Sequence, residues 1–154
     1  MNFTRALFAP ILALAFGITG CAGTTTVIDA PYTLEASQSG GFAGISEEIV
    51  IDSAAKTIAA RENEQAMPRV ATLTDAEIAT ITAAIEAADL KHPGEPHTCD
   101  GCTDSIGSNY VLKTGGQTFD TGWEDGSLPD ERIALGEAVW KLRDEKVPPP
   151  EGSQ

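Results

Sequence analysis

Hydrophobic positions along this chain change period several times, and each change marks an element. Residues 6–18 form one nearly unbroken apolar run, with Pro10 and Gly17 inside it. After a small, polar stretch the pattern turns to alternation. Leu34 and Ala36 predict a first strand over residues 32–37, and Ile45, Glu47, Ile49 and Ile51 on alternate positions predict a second over residues 45–52. Residues 52–56 can turn the chain into a third strand, residues 57–61, which completes an antiparallel meander. The period then becomes helical. Ile78, Ile81, Ile85 and Ala88 share one stripe. Thr74 and Glu77 have the spacing of a capping box, and Leu73 and Ile78 that of a hydrophobic staple. This helix is expected to end near Leu90, before His92-Pro93-Gly94. A long irregular segment follows to residue 108. Tyr110 and Leu112 define a fourth strand over residues 109–113. Gly115-Gly116 supplies a two-residue turn, and Phe119, Thr121 and Trp123 lie on one face of a fifth strand, residues 117–123. Leu128, Leu135, Val139 and Leu142, with Trp140 nearby, describe a second helix that opens at Ser127-Leu128-Pro129-Asp130 and stops at Val147-Pro148-Pro149-Pro150. The order β-β-β-α-β-β-α predicts an α+β fold, an antiparallel sheet of about five strands with two helices packed on one face.

The first apolar run has a different meaning. It follows a single positive charge, Arg5, and is shorter than the roughly 20 residues that cross a hydrocarbon core. A positive start, a short apolar run and small residues before a cut site describe a secretory signal. The run ends in Ile18-Thr19-Gly20-Cys21, which resembles the lipobox of bacterial lipoproteins. That resemblance implies cleavage before Cys21 and lipid attachment to its thiol; the plain alternative is a signal cut elsewhere. With Ala22 in place of an aspartate, it also implies an outer-membrane anchor, on the periplasmic side of the cell envelope. The expected organisation is a signal peptide (1–20), a lipid-anchored tether (21–31), one α+β domain (32–146) and a disordered Pro-rich tail (147–154).

Charge narrows the partners. Removing residues 1–20 from the 154 leaves 134, enough for one compact domain. The whole chain carries a net charge of −13, which the loss of Arg5 with the signal takes to −14. Such a chain repels nucleic acid and anionic headgroups. Contact with a membrane is therefore expected through the acyl chains on Cys21, and no nucleic-acid partner is expected.

Few residues suggest chemistry. Cys99 and Cys102 enter an oxidising compartment, so a structural disulfide that stiffens the long loop is the first reading. A thiol-redox pair is one alternative, although Asp100 and Asp104 would raise a thiol pKa. A metal site drawing on His92, His97 and the two cysteines is the other. The run Ser39-Gly40-Gly41-Phe42-Ala43-Gly44 lacks the spacing of a phosphate-binding loop, and a strand follows it. It is a candidate binding loop, with Phe42 either held outward or folded back on the core. The acidic residues Asp120, Glu124 and Asp125 are expected to form a solvated rim, and Glu47 and Glu48 to lie on opposite faces of a strand. No nucleophile has a visible base beside it, so no catalytic residue, metal or cofactor is assigned and the chain is not read as an enzyme.

One family resemblance rests on these pieces. The Ser39–Gly44 run after a first strand, Leu73-Thr74 followed by Glu77, then Asp104, Tyr110-Val111-Leu112 and a closing helix resemble the emfourin-like proteins, over residues 32–146. Emfourins are small bacterial inhibitors of thermolysin-like metalloproteases. The resemblance implies a protein partner, a metalloprotease, engaged by a rigid loop. The lipoprotein signal and the cysteine pair are departures from that family's pattern. The function expected is that of a lipid-anchored extracytoplasmic binding protein, inhibitor-like in its module. The alternatives are a redox or metal-binding lipoprotein using Cys99 and Cys102, and a structural envelope lipoprotein.

Overall fold

The computed structural model describes residues 28, 31–42, 44–63, 65–92, 106–124 and 130–149. The elements are β1 (Tyr32–Gly40), β2 (Ile45–Asp52), β3 (Thr57–Arg61), β4 (Arg69–Thr72), α1 (Asp75–Ala88), β5 (Ile106–Thr114), β6 (Gln117–Glu124) and α2 (Asp130–Lys146). They form an α+β fold, with one six-stranded antiparallel sheet in the order β4-β3-β2-β1-β5-β6.

Alternation sets the faces. Leu34 and Ala36 of β1, Ile49 and Ile51 of β2, Ile58 and Ala60 of β3, and Tyr110 and Leu112 of β5 all point to one side. There they join Ile81, Ile85 and Ala88 of α1 and Leu135, Val139 and Leu142 of α2 in a single core. Both helices therefore cover one face, and among the described residues no element covers the other. That open face carries polar cross-strand pairs, Lys113 with Glu35 and Arg61 with Glu48.

α1 starts where the sequence places it. Thr74 accepts a hydrogen bond from the Glu77 backbone N–H at 3.3 Å, and Glu77 Oε2 accepts one from the Thr74 N–H at 2.8 Å. These satisfy two donors that a helix start leaves unpaired. Asp89 closes the helix in the left-handed region, φ 46°. The two helices run antiparallel. Arg132, near the start of α2, donates to the carbonyls of Ala88 and His92 at the end of α1, while Lys146, at the end of α2, pairs with Glu77 at 2.7 Å.

The structure corrects three boundaries. A sixth strand, β4, forms over residues 69–72, where no strand was expected; it pairs Ala71 with Ile58 and Arg69 with Ala60 at the sheet edge. β1 continues through Gly40, and β5 begins at Ile106, because the two pair along their full lengths. Val147, expected in the tail, is buried, and its N–H bonds the Arg143 carbonyl at 2.8 Å. The apolar side chain keeps the last helical turn on the core, and the prolines act only after it.

Candidate binding loop at the β1–β2 turn

The loop is built by its strands. β1 and β2 pair in register from Thr33 with Asp52 to Gly40 with Ile45, so Ser39 and Gly40 are strand residues and the turn proper is residues 41–44. Gly40, Gly41 and Gly44 have φ of 114°, 71° and 65°. Side chains with a Cβ rarely adopt such values, which is why glycine occupies these places. The Gly44 N–H donates to the Gly41 carbonyl at 3.0 Å and closes the turn. Phe42 sits at the tip with 98 % of its surface exposed. Of the two orientations open for this side chain, the outward one is observed. Ala43 lies outside the described residues.

Behind the turn, Ser37, Gln38, Ser39, Ser46, Glu47, Glu48, Arg61 and Asn63 line a shallow polar depression of about 200 Å³. Its two carboxylates point to opposite faces and each has a cation. Glu48 pairs with Arg61 on the open face, and Glu47 accepts from Arg143 of α2 at 2.6 Å on the helix face. The neighbouring β3–β4 loop emerges at the same end of the sheet, since Arg61 pairs with Glu48 near the top of β2. It carries Met67, 88 % exposed. Sequence reasoning missed Met67; the one available signal was a large apolar residue standing alone in a polar segment.

Elsewhere the titratable groups serve the fold. Burial pushes the Tyr110 hydroxyl up to about 12. Burial also raises Tyr32, against an opposing hydrogen bond from Thr82. Burial lowers Arg132, while Asp89 and Glu131 pull it back up. Glu77 is held down at about 2, first by its bond to Lys146 and next by the Thr74 backbone.

Several expected site residues lie outside the described residues: Cys21, Cys99 and Cys102, with His97 and Asp125. Asp120 is exposed on β6. Among the described residues no three His, Cys, Asp or Glu side chains gather to hold a metal ion, and no helix is long and apolar enough to cross a membrane. No protein-family model matches this chain, and no curated protein matches it in sequence.

Proposed function

We propose that this chain is a lipid-anchored binding module of the bacterial cell envelope. It is tethered through Cys21 and engages a protein partner with the β1–β2 turn. Phe42 fills an apolar pocket on that partner. The partner class implied by the emfourin resemblance is a thermolysin-like metalloprotease, which makes the module an inhibitor.

The observation that carries this reading is the display of Phe42. A phenyl ring fully exposed on a turn contributes nothing to the folded core, while the paired strands and the Gly44–Gly41 hydrogen bond hold the turn's shape. A loop that is rigid before docking loses less entropy when it docks. Burying the ring in a partner is worth about 2 kcal/mol, or about 30-fold in affinity.

The test uses the chain from Ala22, which keeps every described residue. Inhibition of a thermolysin-like protease at micromolar protein, weakened about 30-fold by Phe42→Ala, is the expected result. Inhibition that survives Phe42→Ala unchanged would refute the loop assignment. No inhibition at all would refute the protease as partner, and pull-down from envelope extracts would then show whether another protein is captured through Phe42.

A further inference from the structure

Two large apolar side chains stand exposed at one end of the sheet, Phe42 and Met67. On an anchored protein, such tips could dip into lipid or face a protein. The way the chain enters the fold decides between them. Ile28 is the first described residue. Its N–H donates to Glu86 Oε1 of α1 at 2.9 Å, and its side chain packs against the core. Cys21 lies only seven residues earlier. Fully extended, that stretch reaches roughly 25 Å.

The entry point lies at the end of the sheet away from Phe42. Tyr32 begins β1, its N–H bonds Ser53 Oγ in the β2–β3 turn at 2.7 Å, and its hydroxyl lies 3.2 Å from Thr82 Oγ1 of α1. From there β1 runs nine residues to Gly40. At about 3.3 Å per step, its eight steps carry the chain roughly 26 Å before the turn begins.

Resting on the anchor proposed above, we infer that the domain stands upright on the bilayer, with the Tyr32 end toward lipid and Phe42 and Met67 facing away as a joint docking surface for a protein. Inverting the domain to bring Phe42 to the lipid would lift the Tyr32 end about 26 Å from the surface and stretch the leash to its full reach. Laying it flat would bring more of a chain with a net charge of −13 against anionic headgroups. The partner this surface fits is a protein with two neighbouring apolar pockets, reached well above the bilayer. A bilayer, or a segment buried in one, does not fit it.

The experiment uses the full lipidated chain in vesicles of phosphatidylethanolamine and phosphatidylglycerol. A fluorescent amino acid is placed at position 42, at position 67, or at the exposed Ala54 in the β2–β3 turn, with an energy-transfer acceptor on the headgroups. Flotation is measured first. A chain that does not float with the vesicles overturns the anchor, and the orientation with it. In floated samples, transfer several-fold stronger from position 54 than from 42 or 67 is expected. Equal transfer, or stronger transfer from 42, would show the tips in lipid and overturn the orientation while leaving the anchor standing. Inserting about ten Gly/Ser residues between Val27 and Ile28 should shrink the contrast. A contrast indifferent to that insertion would show that the leash does not set the orientation.

Discussion

Gly136, in the middle of α2, sets two effects against each other, and their balance can be measured. Glycine inside a helix costs about 1 kcal/mol relative to alanine, so Gly136→Ala should stabilise on propensity alone. The neighbours say otherwise. A Cβ built at Gly136 would lie 2.8 Å from the Tyr110 hydroxyl oxygen, nearer than real contacts allow. Tyr110 is 2 % exposed on β5, and Leu135 and Val139 flank it with none of their surface exposed, so the ring has little room to retreat. Overpacking of this kind costs about 1–3 kcal/mol. The expected net effect of Gly136→Ala is a loss of roughly 0–2 kcal/mol. In a Tyr110→Phe background the obstructing oxygen is gone, and the same substitution should gain about 1 kcal/mol. The coupling between the two sites is then about 1–3 kcal/mol, well above the few tenths within which independent sites add. Urea unfolding of the four chains measures it directly. In a domain of this size each kcal/mol also moves Tm by about 4 °C. If Gly136→Ala stabilises equally in both backgrounds, the glycine is not there to admit Tyr110 and the reasoning fails.

Other expectations follow from the same structure. Thr74→Ala should cost about 1 kcal/mol in urea unfolding, and Thr74→Ser should restore most of it; equal losses for both would mean the cap is not the cause. Glu77 is held at about 2 from an ordinary 4.5, so its charged form stabilises the fold above 4.5 and that contribution is lost as pH falls toward 2. The Tm gap between the wild type and Glu77→Gln should accordingly be widest above 4.5 and close as pH is lowered, and a gap constant with pH would contradict the Lys146 and Thr74 contacts. At Gly44 an added Cβ meets nothing within 4 Å, yet φ is +65°, so Gly44→Ala should cost about 1 kcal/mol through backbone strain alone and Gly44→Asn clearly less. Phe42→Ala should leave the unfolding midpoint unchanged, and a measurable loss would place the ring against the core.

How much of this was legible depends on whether a residue belongs to a period. β2 and β3 fall at the expected residues because buried apolar residues alternate along them, Ile49 and Ile51 in one and Ile58 and Ala60 in the other. α1 was marked twice, by its stripe and by a cap whose two partners are three residues apart. β4 carries no such signal. None of its four residues is fully buried, and its pairing is imposed by β3. Gln38 to Gly40 likewise hold no apolar residue, and they are extended because β2 and β5 pair with them from both sides. Val147 was hidden by the prolines after it. The candidate site is the extreme case. A docking residue has no partner inside its own chain, so no spacing rule can betray its orientation. Composition could say that glycines surround Phe42, but only the folded turn, with the ring 98 % exposed, shows that it is held out. Met67 had even less to show, one apolar side chain in a polar segment, and it gains meaning only when strand order brings its loop to the same end of the sheet. Periodic residues report what a chain buries in itself, whereas the residues it offers to others become visible when the fold shows which end they share.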